Sequence, residues 1–438
     1  MELRETRKMR RYYIAPKFLY ELLTLRSNTR KERSQLRSIQ NKRLRAIIQH
    51  AYENVAFYHR LFDANNVKPS EIKTVDDLKR IPIVTKKQVQ ENLNSLFAEG
   101  IDPAKCVRQR TSGSTGIALT VLKDADALNF QSAVSLRQFF ECGGRLRDKT
   151  VQLRSSASST FPERTDKPFY EHFGILRTEW LKTDEMPVEQ LLLFLASYRP
   201  DVMVSYPSSL QLLAERITEK IDPRLIFCTA EVLSDHFRKA ISRAFGAHVI
   251  DSYGCTEAGD IAWECPEGHE GYHINADSVV VEFVEDGESV APSEDGEIVV
   301  TNLFNYAMPF IRYKIGDVGV PSDEQCSCGR TLPLMRLLRG RSDDYILLPD
   351  GRRLPALVFL NMKEFAGVSE FRIVQEEKTL IRVWLKMHLG SGNDHVARCA
   401  SALGRVFGGN INTVIEVVDE IPEDNSGKLR RVISRITS

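Results

Sequence analysis

Apolar residues recur along this chain with two different periods, and the changes between them mark out the elements. From Leu44 to Phe62 the positions Leu44, Ile47, Ile48, Ala51, Val55, Tyr58 and Leu61 fall three or four apart, which predicts one amphipathic helix with a buried face. Pro82 ends a second short helical region, and Thr85 is placed as the N-cap of a helix running towards Leu93. Asp124 to Cys142 reads as a helix stopped by Gly143-Gly144, whereas residues 151–183 alternate too weakly to assign. The pattern is sharpest between 202 and 251. Val202-Met203-Val204-Ser205-Tyr206 is a short apolar strand, and Pro207 opens a helix from Ser208 to Ile221. Arg224 to Thr229 is a second strand, Ser234 caps a helix from Asp235 to Phe245, and His248-Val249-Ile250-Asp251 is a third strand. Strands alternating with helices at this spacing predict a parallel sheet with right-handed crossovers.

Residues 279–345 are mostly extended. Val279 to Val284, Gly296 to Thr301 and Phe310 to Tyr313, with Asp286-Gly287 and Asp295-Gly296 as turns, predict antiparallel strands. Gly340-Arg341-Ser342-Asp343-Asp344 reads as a linker. Beyond it a hairpin (Phe371 to Val374 with Leu380 to Met387), a helix (Asp394 to Phe407) and a strand (Asn412 to Val418) suffice for a separate domain of about 95 residues. The expected fold class is therefore α/β: a large multi-layer N-terminal domain with a parallel sheet plus antiparallel strands, and a small α+β C-terminal domain. The expected boundaries are 1–45 for a basic helical arm, 46–342 for the large domain and 343–438 for the small one.

Composition narrows the class. At 438 residues, 42% hydrophobic and 27% charged, the chain has the make-up of a globular enzyme of two or three domains. A formal net charge of +1 gives no reason to expect a nucleic-acid partner. No apolar run approaches the roughly 20 residues of a spanning helix, and Met1-Glu2-Leu3-Arg4-Glu5 lacks a signal-peptide core. Eight cysteines in so long a chain make no disulfide scaffold, so a cytoplasmic setting is expected. Residues 1–45 differ from the rest, with fourteen Lys/Arg against four Glu. They read as a basic, solvated helical arm on the domain surface, with docking to an acidic partner such as a carrier protein or an anionic membrane as the sharper reading.

Chemistry concentrates in a few stretches. Thr111-Ser112-Gly113-Ser114-Thr115-Gly116 offers hydroxyls and turn-forming glycines whose successive N–H groups suit a polyphosphate, without the Gly-Lys-Ser/Thr ending of a P-loop. In parallel sheets ligands gather beyond the carboxyl ends of the strands, which directs attention to Thr229-Ala230-Glu231 and to Ser252-Tyr253-Gly254-Cys255-Thr256-Glu257. Separately, Cys265, Cys326 and Cys328 with His273 (His269 as the alternate) supply three thiolates and one imidazole, the donor set of a closed structural Zn²⁺ site stapling two loops. The other cysteines read as packing residues.

Five stretches then fall in order: Thr111 to Gly116, Asp251 to Glu257, Tyr313-Lys-Ile-Gly-Asp317, Gly340 to Asp344 and Gly427-Lys-Leu-Arg430. In order and spacing they resemble the adenylate-forming acyl ligase superfamily, most closely the phenylacetate–CoA ligase and capsule-biosynthesis-associated branch, from about Leu44 to the C-terminus. The resemblance implies that a carboxylic acid, aryl by default, attacks the α-phosphorus of ATP to give an acyl-adenylate and pyrophosphate. A thiol, from CoA or the phosphopantetheine of an acyl-carrier protein, then takes the acyl group. It implies Thr111, Ser112, Gly113, Ser114, Thr115 and Gly116 on the phosphates, Glu257 on Mg²⁺ and Tyr253 stacked on adenine. Asp251 would accept from the adenine amine, and Asp317 and Arg341 would lie at the ribose. Glu231, Ser252, Gly254 and Thr256 would lie along the nucleotide. Tyr206, Pro207, Ser208 and Ala230 would line the acyl pocket, with His172-Phe173-Gly174 contributing. Lys428 would bridge the carboxylate and the α-phosphate, and Asp343 or Asp344 would be the hinge of a mobile lid. Two departures stand out. Ile117-Ala118-Leu119 replaces the Pro-Lys-Gly of many members, and Leu348-Pro349-Asp350-Gly351-Arg352-Arg353 replaces the glycine-rich lining of the pantetheine tunnel. Adenylylation of a hydroxyl acceptor, or a non-catalytic binding protein on the same fold, are the alternatives.

Overall fold

A computed structural model describes residues 16–111, 119–154, 176–183, 185–267, 271–341, 345–349, 353–355, 367–388, 393–407, 411–421 and 432–436. The chain divides into two compact units, the first comprising residues 1–315 and 319–337, the second residues 316–318 and 338–438. No helix among the described residues is long and apolar enough to cross a membrane.

The first unit opens with helices α1 (16–28), α2 (Arg33–Asn54), α3 (Ala56–Ala64) and α4 (Lys86–Glu91). The expectation of a solvated arm over 1–45 fails from residue 16 onward. Phe18, Leu22, Leu25, Leu36 and Leu44 are buried in the principal core, so one face of these helices lies on the domain, while Leu19, Tyr20 and Leu23 stay exposed on the other. The single helix expected from Leu44 to Phe62 is two, broken at Val55, which is extended (φ −123, ψ 104) and itself buried. A β-branched residue tolerates that conformation and keeps its side chain in the core. Thr85 caps α4 with a full capping box through Gln88.

A hairpin of β1 (Val107–Arg110) and β2 (Thr120–Lys123) leads into helix α5 (Ala125–Glu141), capped by Asp124, which accepts from the Ala127 N–H at 2.8 Å. The parallel sheet follows: β3 (Lys149–Arg154), β4 (Arg177–Lys182), α6 (Val188–Tyr198), β5 (Val202–Ser205), α7 (Pro207–Arg216), β6 (Leu225–Thr229), α8 (Asp235–Phe245) and β7 (His248–Cys255). The α/β alternation expected over 202–251 is present, and Ser234 caps α8 through the Phe237 N–H at 3.1 Å. Two strands, β3 and β4, come from the stretch that showed no period. The third strand runs four residues beyond Asp251 because β8 (Gly259–Glu264) folds back antiparallel on it, pairing Ser252 with Trp263 and Cys255 with Gly259. The remaining strands are β9 (Tyr272–Ile274), β10 (Val279–Glu285), β11 (Glu288–Ser289), β12 (Gly296–Asn302), β13 (Tyr313–Ser322) and β14 (Leu334–Arg341). Together they form one twelve-stranded sheet, ordered β11-β10-β12-β13-β14-β9-β8-β7-β6-β5-β3-β4. The strand expected over Phe310 to Tyr313 instead begins at Tyr313, since Arg312 has a left-handed backbone (φ 47) that breaks extension. Its guanidinium is buried against Glu282 at 2.9 Å.

A fully buried knot ties the first helices to the sheet. The Arg137 guanidinium donates to both Asp277 oxygens (2.9 and 2.8 Å), to Asn275 Oδ1 (2.8 Å) and to the Leu25 carbonyl (3.2 Å). Asn28 donates to Asp277 from the other side at 2.8 Å. Neither charged side chain reaches solvent.

In the second unit β15 (Tyr345–Leu347) pairs with β16 (Arg353–Pro355). A four-stranded sheet of β17 (Val368–Glu377), β18 (Leu380–Met387), β19 (Asn412–Val417) and β20 (Val432–Ser434) accompanies helix α9 (Asn393–Phe407), whose Cys399, Leu403 and Phe407 share a core with Ile373, Ile381, Val383 and Val432. The expected hairpin, helix and strand are all found there.

Candidate functional site

The β1–β2 hairpin holds the neck of the hydroxyl-rich loop. Thr111 N–H donates to the Leu119 carbonyl, and Leu119 N–H donates to Thr111 Oγ1, both at 2.8 Å. The hydroxyl of Thr111 keeps its own proton to donate. Ser112, Gly113, Ser114, Thr115 and Gly116 lie outside the described residues.

The carboxyl ends of β5, β6 and β7 bring the next residues together. Tyr206 caps α7, Pro207 is its first residue, and the Ser208 N–H donates to Glu231 Oε2 at 3.0 Å. A carboxylate at a helix N-terminus satisfies a free N–H and complements the helix dipole. Ala230 beside it is left-handed (φ 66), a conformation unusual for a residue with a side chain and one that clusters at functional loops.

Ser252 and Gly254, expected in a loop, are strand residues, and Ser252 Oγ accepts from Gln138 of α5. Gly254 must be glycine, because a Cβ there would sit 2.5 Å from the Gly259 carbonyl oxygen. Asp251 is nearly buried and accepts from the Tyr272 hydroxyl at 2.7 Å, while its N–H donates to Glu264 Oε2 at 3.0 Å. Glu264 in turn takes two 2.9 Å bonds from Arg238. Tyr253 packs against the principal core, and Thr256 lies in the turn after β7.

Glu257 lies in that same turn. It is 7% exposed, its Oε1 accepts from the Tyr313 hydroxyl at 3.0 Å, and its carbonyl accepts from Asn302 Nδ2 at 3.0 Å. Lys123, which the sequence did not single out, contributes a fully buried ammonium to this neighbourhood. It donates to Gln131 Oε1 at 2.7 Å. Burial pushes its pKa down to about 8, against the opposing pull of Cys255, Asp260 and Glu257. A lysine directly after the apolar pair Val121-Leu122 was the available signal. Asp317 is a half-buried residue of β13, and Arg341 ends β14. Asp343, Asp344 and Lys428 lie outside the described residues.

A second centre is fully assembled. Cys265 follows β8, His273 is the middle residue of β9, and Cys326 and Cys328 come from the β13–β14 connection; their donor atoms all lie within 4.8 Å of one another. Cys326 Sγ is 3.5 Å from Cys265 Sγ, and Cys328 Sγ is 3.4 Å from His273 Nε2. Tetrahedral zinc with Zn–S of about 2.3 Å and Zn–N of about 2.0 Å sets neighbouring donors roughly 3.5–3.8 Å apart, so the cluster fits that ion. Burial and the Arg330 charge bring the His273 imidazole to about 4, hence neutral and able to ligate. Burial opposes ionisation of Cys328, yet the Arg330 N–H at 3.4 Å, the neighbouring Cys326 thiol and the Arg330 guanidinium together outweigh it and lower the thiol, while burial pushes Cys326 up. Arg330 is itself fixed by Glu141 (3.0 Å), Glu267 (2.9 Å) and the face of Trp263. His269 lies outside the described residues.

Residues 350–435 match the family model described as the CapK C-terminal domain. The chain is 27% identical to a phenylacetate-coenzyme A ligase of Thermus thermophilus, over 92% of this chain and 97% of that protein. It is 23% identical to protein CapK of Staphylococcus aureus, over 93% and 91% respectively. Among solved structures, 2-hydroxyisobutyryl-CoA ligase in its postadenylation state superposes with a TM-score of 0.75 at 19% identity, covering 93% of this chain and 91% of that one. At that identity the likeness is one of fold.

Proposed function

We infer that this chain is a member of the phenylacetate–CoA ligase and CapK-like branch of the adenylate-forming ligases, and that it joins a carboxylic acid to the thiol of CoA by way of an acyl-adenylate. The reading is supported above all by a similarity that runs through both units rather than one.

In the first step the acid's carboxylate oxygen bonds to the α-phosphorus of ATP as the bond to pyrophosphate breaks. Donors at the phosphate loop, from Thr111 to Gly116, take up the charge that grows on the leaving oxygens. Glu257 is assigned to Mg²⁺, which when bound screens phosphate charge as a hard cation held by oxygens. Its carboxylate suits that duty, being buried and aimed by the Tyr313 hydroxyl. Tyr253, Asp251, Asp317 and Arg341 are assigned to the nucleoside, with Asp251 held in place by Tyr272. In the second step the thiol sulfur attacks the acyl carbon and AMP leaves. Aryl acids are the default by analogy with the branch.

ATP–pyrophosphate exchange across aryl, fatty, hydroxy and amino acids tests this. Exchange that depends on one acid class, followed by thioester formation with CoA, is the expected result. AMP retained on a hydroxyl product, or acylation of a phosphopantetheinylated carrier with CoA inert, would replace the acceptor. Absence of exchange with every acid would end the reading.

We further assign Zn²⁺ to Cys265, His273, Cys326 and Cys328, as a staple between the end of β8, β9 and the β13–β14 connection. Purified protein should carry about one zinc per chain. Cys326→Ser should lose it together with stability on the order of several kcal/mol, because metal binding energy is folding energy. Metal analysis finding far less than one zinc per chain in freshly purified protein would remove the ion.

A further inference from the structure

Strand β3 reads Lys149-Thr-Val-Gln-Leu-Arg154. Val151 and Leu153 pack into the core shared with α6, α7 and α8, so the period of two sends Thr150, Gln152 and Arg154 to the opposite face of the sheet. A parallel strand covered on both faces is ordinarily apolar on both. Here one face carries a hydroxyl, an amide and a guanidinium. Thr150 Oγ1, Gln152 Oε1, and Nε and Nη1 of Arg154 are buried, with no hydrogen-bond partner among the described residues.

Arg154 stands out among them. It is 8% exposed and ends its strand. The register pairs Gln152 with Val204, which brings Arg154 level with Tyr206, and its guanidinium lies 5.3 Å from the centre of that ring. Both residues are at the carboxyl ends of adjacent parallel strands, where ligand sites gather. Leaving a buried cation with open donors is costly unless something else meets them. Asp260 and Glu231 lend negative charge nearby.

We propose that Arg154, with Gln152 beside it and Tyr206 against it, forms a polar end to the acyl pocket and that the acid this enzyme activates carries a hydroxyl group there. A guanidinium only donates, and the Gln152 carbonyl oxygen only accepts; a hydroxyl has one proton to give and two lone pairs to receive, so it can satisfy either kind of open atom. An unsubstituted aryl or alkyl chain answers neither. A second carboxylate meets the guanidinium but confronts Asp260 and Glu231. The inference rests on the acid-activating reading above and adds the substituent that selects the substrate.

The test is exchange kinetics with matched pairs of acids, aryl and short aliphatic, that differ by one hydroxyl. Wild-type protein should favour the hydroxylated member of at least one pair by more than about 10²-fold in kcat/KM, because an apolar pocket separates such pairs by only about 10²-fold whereas a site built for a hydroxyl reaches about 10⁴–10⁵-fold. Arg154→Met should cut that ratio by about 10-fold or more, through the KM for the acid and not for ATP. Arg154→Lys should restore part of it. The ratio compares two acids on one preparation, so partial misfolding cancels. A wild-type preference for unsubstituted acids would overturn the inference while leaving acid activation standing. An unchanged ratio in Arg154→Met would overturn the role of Arg154. No exchange with any acid would overturn both readings.

Discussion

Replacing Lys428 with alanine is expected to lower acid-dependent ATP–pyrophosphate exchange by about 10²-fold or more, with the KM for ATP changed far less. The barrier to the first step is electrostatic, because a carboxylate must approach a phosphorus ringed by anionic oxygens. An ammonium between the two partners is worth most when they are closest, in the transition state, so its loss falls on kcat. Lys428 follows Glu423-Asp424-Asn425-Ser426-Gly427, a wholly polar stretch of sequence, and its part in the reaction is the proposed one. The thiol step brings no second anion onto the phosphate, so acyl transfer from supplied acyl-adenylate to CoA should suffer less. Exchange within about two-fold of wild type in Lys428→Ala would take this residue out of the reaction.

The largest effect on stability is expected at Asp277. Its carboxylate is the counter-ion of Arg137, and both side chains are fully buried. Asp277→Ala leaves the guanidinium without its charge partner and removes the acceptor of Asn28, which should destabilise the first unit by about 3–5 kcal/mol. Replacing both partners, Arg137→Met with Asp277→Leu, should recover part of that loss, since it removes the unpaired buried charge while still leaving Asn28 without its acceptor. Urea unfolding followed in the full chain separates the transitions of the two units, as a single two-state fit would not. A loss below about 1 kcal/mol in Asp277→Ala would mean that water or a neighbouring group takes over the charge.

What the sequence disclosed followed from how uniform each element's surroundings are. Val202–Ser205 and Leu225–Thr229 lie between helices and are apolar up to their last residue, so they stand out. Strand β3 is equally enclosed, but Thr150, Gln152 and Arg154 erase its apolar run, and the residues that hide it are those with open hydrogen-bonding capacity. The Cys/His cluster was legible because thiols and imidazoles are few and the zinc donor set is small. The partners of Asp251 and Glu257 were not legible: Tyr272 and Tyr313 reach them through pairings set by the antiparallel half of the sheet. The basic composition of residues 1–45 misled for a related reason. Charge counts describe a helix's outer face, and Phe18, Leu22 and Leu25 on the inner face decide where it lies.

That placement bears on how the protein is made. Asn28 finds Asp277 across 249 residues of chain, and the Thr29 carbonyl accepts from Thr331 across 302. A ribosome adding roughly 5–20 residues per second needs about 15–60 s to make that much chain. Throughout that interval the apolar faces of α1 and α2, which emerge before the strands they pack on, lack that part of the sheet to cover them. The parallel strands β3 to β7 pair within residues 149–255 and need no such wait. During synthesis the N-terminal helices are therefore the stretch most in need of a chaperone, and tags or fusions placed there act on the chain's most drawn-out folding step.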